Sequence, residues 1–279
     1  MDQGQAGRRT GEAFTVVTPE TAGRFVFASP HSGEVYPDDM GCDPALARAS
    51  LRSAEDVWVD RLIAPGADLG ASLVLGRLGR AYVDLNRDPD DLDAVLIDGL
   101  AADSGGARAA AGYGVIPRLT GDGRALYARR LAREEASARL ARVHAPYHAA
   151  LAERMRAAHA RHGGAVLIDW HSMPSRAVGG ARGVDVVLGD RHGVACAPAL
   201  TRRVRDLFEG LGWRVALNQP YAGGWTTQAW GRPAEGFQAL QIELSRALYL
   251  DEATGEPGPG WSRCEKGVAR VIAAILADG

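Results

Sequence analysis

The sequence predicts an α/β fold, a three-layer domain around a mixed sheet. Three observations carry that expectation. Six short apolar runs bounded by turn residues recur along the chain. Helical patterns lie between them. No internal repeat or long linker divides the 279 residues.

Taken in order, residues 1–12 are polar and read as a flexible tail, leaving 13–279 as a single domain. Strands are expected at Arg24–Ala28, Ala71–Leu75, Ala165–Asp169, Val184–Leu188, Arg214–Leu217 and Ala239–Leu244, whose length and β-branched content suit buried strands. Helical patterns cover Asp43–Ile63, Gly123–His162, Pro198–Leu211 and Trp261–Ala277. Pro146 falls inside the second of these and predicts a kink or break near Val143–Ala145. The Gly- and Ala-rich stretch Gly99–Gly114 and the segment Asp251–Pro259 read as loops.

Composition narrows the function. Hydrophobic residues are 46% and charged residues 24%, which excludes a disordered chain, a collagen and a coiled coil. No apolar run reaches the roughly 18 residues of a membrane span, so no membrane partner is expected. The polar start, Met1–Glu12, has no apolar core of a signal peptide. Net charge is −2, so no nucleic-acid partner is expected either. Of the 32 basic residues only Lys266 is a lysine, which reads as coding bias. Cys42, Cys196 and Cys264 are far apart with no CxxC pair, so they support neither a disulfide framework nor a thiolate zinc site. A reducing cytoplasm is the expected compartment. Nothing in the sequence specifies an oligomeric state.

Ligands in such folds bind beyond the carboxyl ends of strands, so polar residues just after strands are the candidates. His31, in Ser29-Pro30-His31-Ser32-Gly33-Glu34, follows the first strand. His171, in Asp169-Trp170-His171-Ser172, follows another. Asp169 leaves the same face of an extended backbone and can fix a ligating imidazole. Two strand-end histidines make a candidate metal pair, and Zn²⁺ with a third, carboxylate ligand is the natural set. The carboxylate candidates are Glu34, which makes an HxxE spacing, and Glu55, Asp56 and Asp60, expected on a helix. Arg80, Asn86 and Arg87 lie in a dense polar run with Asp84 and Asp88. They can grip a carboxylate or an oxyanion, or form a surface ion-pair cluster. Glu243 interrupts an apolar strand, as a general base or as a salt-bridge partner of Arg246. His144 and His148 are four apart, a metal-binding spacing interrupted by Pro146; His148 can alternatively face the site. His159, His162 and His192 read as surface residues.

Several segments together resemble the N-formylglutamate amidohydrolase family. They are Pro30-His31-Ser32-Gly33, Val59-Asp60-Arg61-Leu62, Tyr82-Val83-Asp84-Leu85-Asn86-Arg87, Pro146-Tyr147-His148, Asp169-Trp170-His171-Ser172, Asn218-Gln219-Pro220-Tyr221-Ala222-Gly223-Gly224 and Gln241-Ile242-Glu243. They occur in the family's order from about residue 24 to 250. That family is similar to zinc carboxypeptidases and aspartoacylase. The resemblance implies a phosphorylase/hydrolase-like fold, one zinc ion and a small-molecule N-acyl amino acid substrate. It implies cleavage of N-formyl-L-glutamate to formate and L-glutamate, a late step of histidine degradation. By the same likeness His31, Asp56 and His171 are the metal ligands, with Glu34 the runner-up carboxylate and Glu55 behind it. Asn86 and Arg87 hold a substrate carboxylate, Arg80 stabilises the oxyanion, and Glu243 is the general acid/base. The glycine-rich Gly223-Gly224-Trp225-Thr226-Thr227 reads as a candidate lid. Two other expectations compete: a related zinc amidohydrolase acting on another N-acyl amino acid or a peptide, and a non-catalytic binding domain.

Overall fold

The computed structural model describes residues 7–277. One eight-stranded mixed sheet runs through them, with helices packed on both faces. The strands are β1 (Gly7–Thr10), β2 (Phe14–Thr18), β3 (Phe25–Ser29), β4 (Ser72–Gly76), β5 (Ala165–Met173), β6 (Val186–Gly189), β7 (Val215–Leu217) and β8 (Phe237–Ser245). Their spatial order is β1-β2-β4-β3-β5-β8-β6-β7. The centre, β4-β3-β5-β8, is parallel, while β2 and β6 each join it antiparallel. A two-stranded ribbon of β9 (Leu250–Asp251) and β10 (Glu256–Pro257) forms within the loop expected near there.

The period-two rule divides the core. On β5, Val166, Ile168 and Trp170 point to one face, with Phe25 and Phe27 of β3 and Leu240, Ile242 and Leu244 of β8. On that face Phe27 meets Trp170 edge-on, ring centres 5.8 Å apart. Helices α2 (Val59–Ile63), α7 (Pro198–Glu209) and α9 (Trp261–Leu276) cover it, together with Ala67. The opposite face begins with Ala165 and Leu167 on β5 and Ala239 on β8, covered by Tyr147, Leu151 and Met155. Further along the same face the apolar residues give way to Asp169 and His171 on β5 and to Gln241 and Glu243 on β8, all buried. The site is therefore built where one face of the parallel core turns polar at its carboxyl end.

Four local readings change. The stretch 7–10, expected within the tail, pairs as β1 with β2, while residues 1–6 lie outside the described residues. Strand β2 was not anticipated; its Val16 stands opposite Val74 and extends the sheet beyond β4. The helix expected over Asp43–Ile63 is broken into α1 (Arg48–Arg52) and α2, followed by α3 (Pro65–Asp68). Between α1 and α2, Trp58 takes a left-handed φ of 63° and Asp56 N–H donates to His31 O at 2.9 Å. Tertiary hydrogen bonding to the strand-end loop replaces helix continuation there. Lastly, the helix expected from Gly123 begins only at Arg133. A bridge between Leu119 and Ala125, with Gly123 at φ 83°, makes a turn before it.

The loop Gly99–Gly114 contains one helical turn, α4 (Ala107–Ala110). From Arg133, α5 (Arg133–Arg139) passes through a π-helical turn, Leu140–His144, into α6 (Ala145–His162). Pro146 sits in the first turn of α6, where its missing N–H costs least, and the wider turn before it absorbs the break expected there. A further short helix, α8 (Trp225–Trp230), follows the glycine pair Gly223-Gly224. No helix among the described residues is long and apolar enough to cross a membrane.

Candidate active site

Strand β3 ends at Ser29 and delivers His31 into a loop pressed against Arg77 and Leu78. A side chain at Gly33 would meet Leu78 O at 2.3 Å, so only glycine allows this approach. His171 comes from inside β5 rather than after it, since that strand runs on to Met173. Asp56 comes from the break between α1 and α2. The three donor atoms lie within 4.8 Å of one another, and all three residues are buried.

The orientations are those of a metal centre. His171 Nδ1 is 2.9 Å from Asp56 Oδ2, and His31 Nδ1 is 3.4 Å from the same oxygen. His31 Nδ1 makes no hydrogen bond, a buried polar atom left without a partner. Such an orphan is expensive unless a ligand satisfies it. On the far side of each ring a carboxylate accepts from Nε2. Asp84 Oδ1 is 2.7 Å from His31 Nε2 and Asp169 Oδ2 is 3.1 Å from His171 Nε2. Carboxylates behind both imidazoles fix the tautomer that turns Nδ1 toward a cation.

Electrostatics agree with the donor set. Burial alone would raise Asp56, but the hydrogen bond from His171 and the charge of both histidines hold its carboxyl well below the usual range. Burial would also raise Asp84, and Arg80, Arg87 and His31 outweigh it. Burial would lower His171, yet Asp169, Asp56 and Glu243 together raise it well above an ordinary imidazole. The pocket thus favours positive charge at this point. Two nitrogens and one carboxylate oxygen fit Zn²⁺, with a coordination position left for water or substrate.

Glu243 stands opposite His171 in the β5–β8 register. Burial pushes its carboxyl up to about 7, with Asp56 and Asp169 adding to the rise and His171 and Arg80 opposing it. Gln241, two residues earlier on the same face, donates to Glu243 Oε1 at 2.8 Å and accepts from Gly224 N–H at 2.7 Å. The alternative partner, Arg246, turns elsewhere. Its guanidinium donates to Glu55 O at 2.6 Å and Ser53 O at 3.2 Å, bracing the segment that carries Asp56.

A cavity of about 520 Å³ opens over these groups. Arg80, Arg87 and Asn86 all line it. Arg80 Nε donates to Asp84 Oδ2 at 2.9 Å. Arg87 is anchored on Tyr113 O at 3.0 Å and Asn86 O at 3.0 Å. Asn86 is engaged on every side. Its Nδ2 donates to Asp169 Oδ2 at 3.3 Å and lies 3.0 Å from His171 Nε2, while its Oδ1 accepts from Thr226 N–H at 2.9 Å.

The remaining candidates fall outside the donor cluster. Glu34 is exposed and pairs with Arg52 at 3.4 Å, so the HxxE spacing does not close on itself. Glu55 is buried but accepts from Tyr36 at 2.5 Å and Arg52 at 2.8 Å. Asp60 is half-buried, and its N–H donates to Ser32 Oγ. His144 and His148 each bond a backbone carbonyl, Arg87 O at 3.0 Å and Leu85 O at 2.8 Å, and both pack on Trp225. His162 and His192 are exposed, whereas His159 stacks on Phe237. Sequence reasoning passed over Asp84 and Gln241 as site residues. Their signal is positional: Asp84 precedes Asn86 by two, and Gln241 alternates with Glu243.

A mixed α/β sheet with a buried His-Asp-His cluster, a neighbouring carboxyl near neutrality and an arginine-lined cavity defines a metal-dependent hydrolase. Within that class, residues 23–250 match the N-formylglutamate amidohydrolase family, and the chain belongs to it. It is 32% identical over 216 residues to the N-formylglutamate deformylase of Pseudomonas aeruginosa, covering 75% of this chain and 76% of that protein. It is 30% identical over 232 residues to the N-formylglutamate deformylase of Pseudomonas putida, covering 81% and 82%. The crystal structure of N-formylglutamate amidohydrolase from Ralstonia eutropha JMP134 superposes with a TM-score of 0.89 at 35% identity, over 95% of this chain and 98% of that one. A gene product of Agrobacterium tumefaciens shares the fold, with a TM-score of 0.66 at 19% identity and 96% of each chain covered.

Proposed function

We propose that the protein hydrolyses N-formyl-L-glutamate to formate and L-glutamate, with Zn²⁺ held by His31, Asp56 and His171. The observation that carries this reading is the buried, unpartnered Nδ1 of His31, which shares one cavity with Asp56, His171 and Glu243. The family membership supplies the substrate. When bound, the ion polarises the acyl carbonyl and acidifies a water.

The chain's own groups then divide the work. Glu243 takes a proton from the attacking water and returns one to the leaving nitrogen of glutamate. Burial raises its carboxyl above the ordinary range, so it holds a proton more firmly than an exposed carboxylate, which suits both tasks. Arg80, held by its Nε on Asp84, lines the cavity and stabilises the developing oxyanion. Arg87 receives the substrate α-carboxylate, a planar, bidentate partner for a guanidinium. Asn86 contributes to the same carboxylate wall and ties it to Asp169 behind His171. The expected compartment is the cytoplasm, in keeping with three free cysteines, and the expected role is a late step of histidine degradation.

The test is formate release from N-formyl-L-glutamate by zinc-loaded protein, beside a chelator-treated control. Chelator-sensitive release is expected. A protein that binds one zinc and releases no formate would overturn the substrate assignment.

A further inference from the structure

Five arginines line the cavity: Arg80, Arg87, Arg108, Arg191 and Arg246. Arg80, Arg87 and Arg246 are held by hydrogen bonds from their guanidinium groups. Arg108 is exposed and lies close enough to Arg87 to depress its pKa by like-charge repulsion, so those two share one wall. Arg191 is different. It is half-buried, and its guanidinium has no hydrogen bond or ion pair among the described residues.

The backbone that presents Arg191 is unusually constrained. Arg191 and His192 both adopt left-handed conformations, with φ of 54° and 59°, as does Asn218 at 61°. Non-glycine residues rarely do so, and successive ones persist only where their surroundings enforce them. Here Asn218 Oδ1 accepts from Asp190 N–H at 3.1 Å and His192 N–H at 3.2 Å. Asp190 in turn accepts from Asn218 Nδ2 at 2.9 Å, Gly193 N–H at 2.8 Å and Thr201 Oγ1 at 2.9 Å. Arg191 N–H donates to Ala222 O at 2.7 Å, locking it to the loop that precedes α8. Its stem then runs over Gly223, where an added Cβ would stand 3.1 Å from Arg191 Cγ. The strained turn and the glycine together aim a cation without a partner into the cavity.

We propose that Arg191 is the specificity-determining residue for a second substrate carboxylate, the one on the side chain of an N-acylated acidic amino acid. This rests on the proposed amidohydrolase reading and deepens it. A substrate with two carboxylates needs two separated cationic partners. Arg87 on the Asp84–Asp88 run supplies one. Arg191 reaches the same cavity from the connection between β6 and α7, and its guanidinium is free to take the other.

The experiment compares wild type with Arg191→Met on N-formyl-L-glutamate and on N-formyl-L-glutamine, a neutral near-isostere. Wild type should favour the acid by on the order of 100-fold in kcat/KM, the size of a lost charge-assisted contact plus a stranded partner. The variant should lose that preference, mainly through KM, while its rate on the glutamine substrate holds. Equal losses on both substrates, or none, would overturn the assignment. Calorimetric binding of L-glutamate against L-glutamine to the zinc-loaded proteins gives a readout independent of turnover. If wild type releases no formate from either substrate, the proposed reaction fails. Calorimetry still decides the inference: discrimination present in wild type and lost in the variant supports it, and its absence in wild type or retention in the variant overturns it. Should Arg191→Met not fold, Arg191→Gln keeps the first methylenes with an uncharged polar head and gives the same comparison.

Discussion

His171 and Glu243 stand directly opposite each other on neighbouring parallel strands, β5 and β8. One ring of the donor cluster and the candidate base are thereby fixed by backbone hydrogen bonds rather than by a mobile loop. A site on regular strands holds its geometry more tightly than one on loops alone. Replacing Glu243 should therefore remove chemistry without disturbing metal binding. Glu243→Gln is expected to lower kcat by about 10²–10⁴-fold while metal analysis still finds one zinc per chain. Retained turnover would sink the base assignment.

The pH behaviour follows from the same residue. Its carboxyl is raised from 4.5 to about 7 in the fold, so between those values the folded protein holds a proton that the unfolded chain has lost. Glu243's contribution to stability is therefore present below pH 4.5 and declines as pH rises toward 7. In chelator-treated protein, the melting temperature of Glu243→Gln relative to wild type should climb across this window. A bound divalent cation favours the carboxylate, so the acid limb of kcat/KM in the loaded enzyme should fall below 7. Activity is lost on that limb as pH drops, because the base becomes protonated. A flat difference in melting temperature from pH 4.5 to 7 would refute the shift.

The two carboxylates that competed for the third ligand position separate cleanly by substitution. Asp56 is buried between the two histidines, whereas Glu34 is exposed and pairs with Arg52. Asp56→Asn should weaken zinc binding by more than the ~10–100-fold typical of groups behind a ligand. Asp84→Asn, which removes the negative charge behind His31, should fall within that range, roughly 10–100-fold. Glu34→Gln should leave zinc affinity unchanged and stability within about 0.5 kcal/mol. Competition against a chromophoric chelator measures all three, and a large loss in Glu34→Gln would restore the HxxE reading.

Much of this candidate site was legible in the sequence because its polar residues interrupt or adjoin strongly patterned strands. Glu243 interrupts an apolar run, where an acid calls for a partner, and His171 was expected just past a run that in fact continues through it to Met173. The mixed sheet was legible because six of its strands read as short apolar runs bounded by turn residues. Asp56 was harder to place. Local propensity reads Asp43–Ile63 as a helix, and only the tertiary bond from Asp56 N–H to His31 O shows why the helix breaks. Strand β2, Phe-Thr-Val-Val-Thr, does carry a β-branched signal, and was passed over beside the polar start read as a tail. Arg191 has no sequence signature, because its role depends on a left-handed turn enforced from Asn218, 27 residues away by number.

The histidine pair on α6 and the turn before it provides the last prediction. His144 and His148 pack ring to ring at 4.3 Å, the spacing that would tempt a second metal. Yet both present Nε2 to carbonyls of the run that carries Asn86 and Arg87. Burial, with His144 adding to it, pushes His148 down to about 3, so its ring stays neutral and donates to Leu85 O. The pair therefore braces the carboxylate wall from behind and gives Trp225 a surface to rest on. His148→Ala should cost roughly 1–3 kcal/mol, the loss of one buried hydrogen bond with its acceptor stranded. That cost should shrink as pH falls from 8 toward 5, because the unfolded chain's imidazole takes up a proton near 6.5 while the folded ring, held near 3, does not. Zinc content should remain at one per chain in both proteins. A fall from two metals to one on substitution would instead make the pair a metal site.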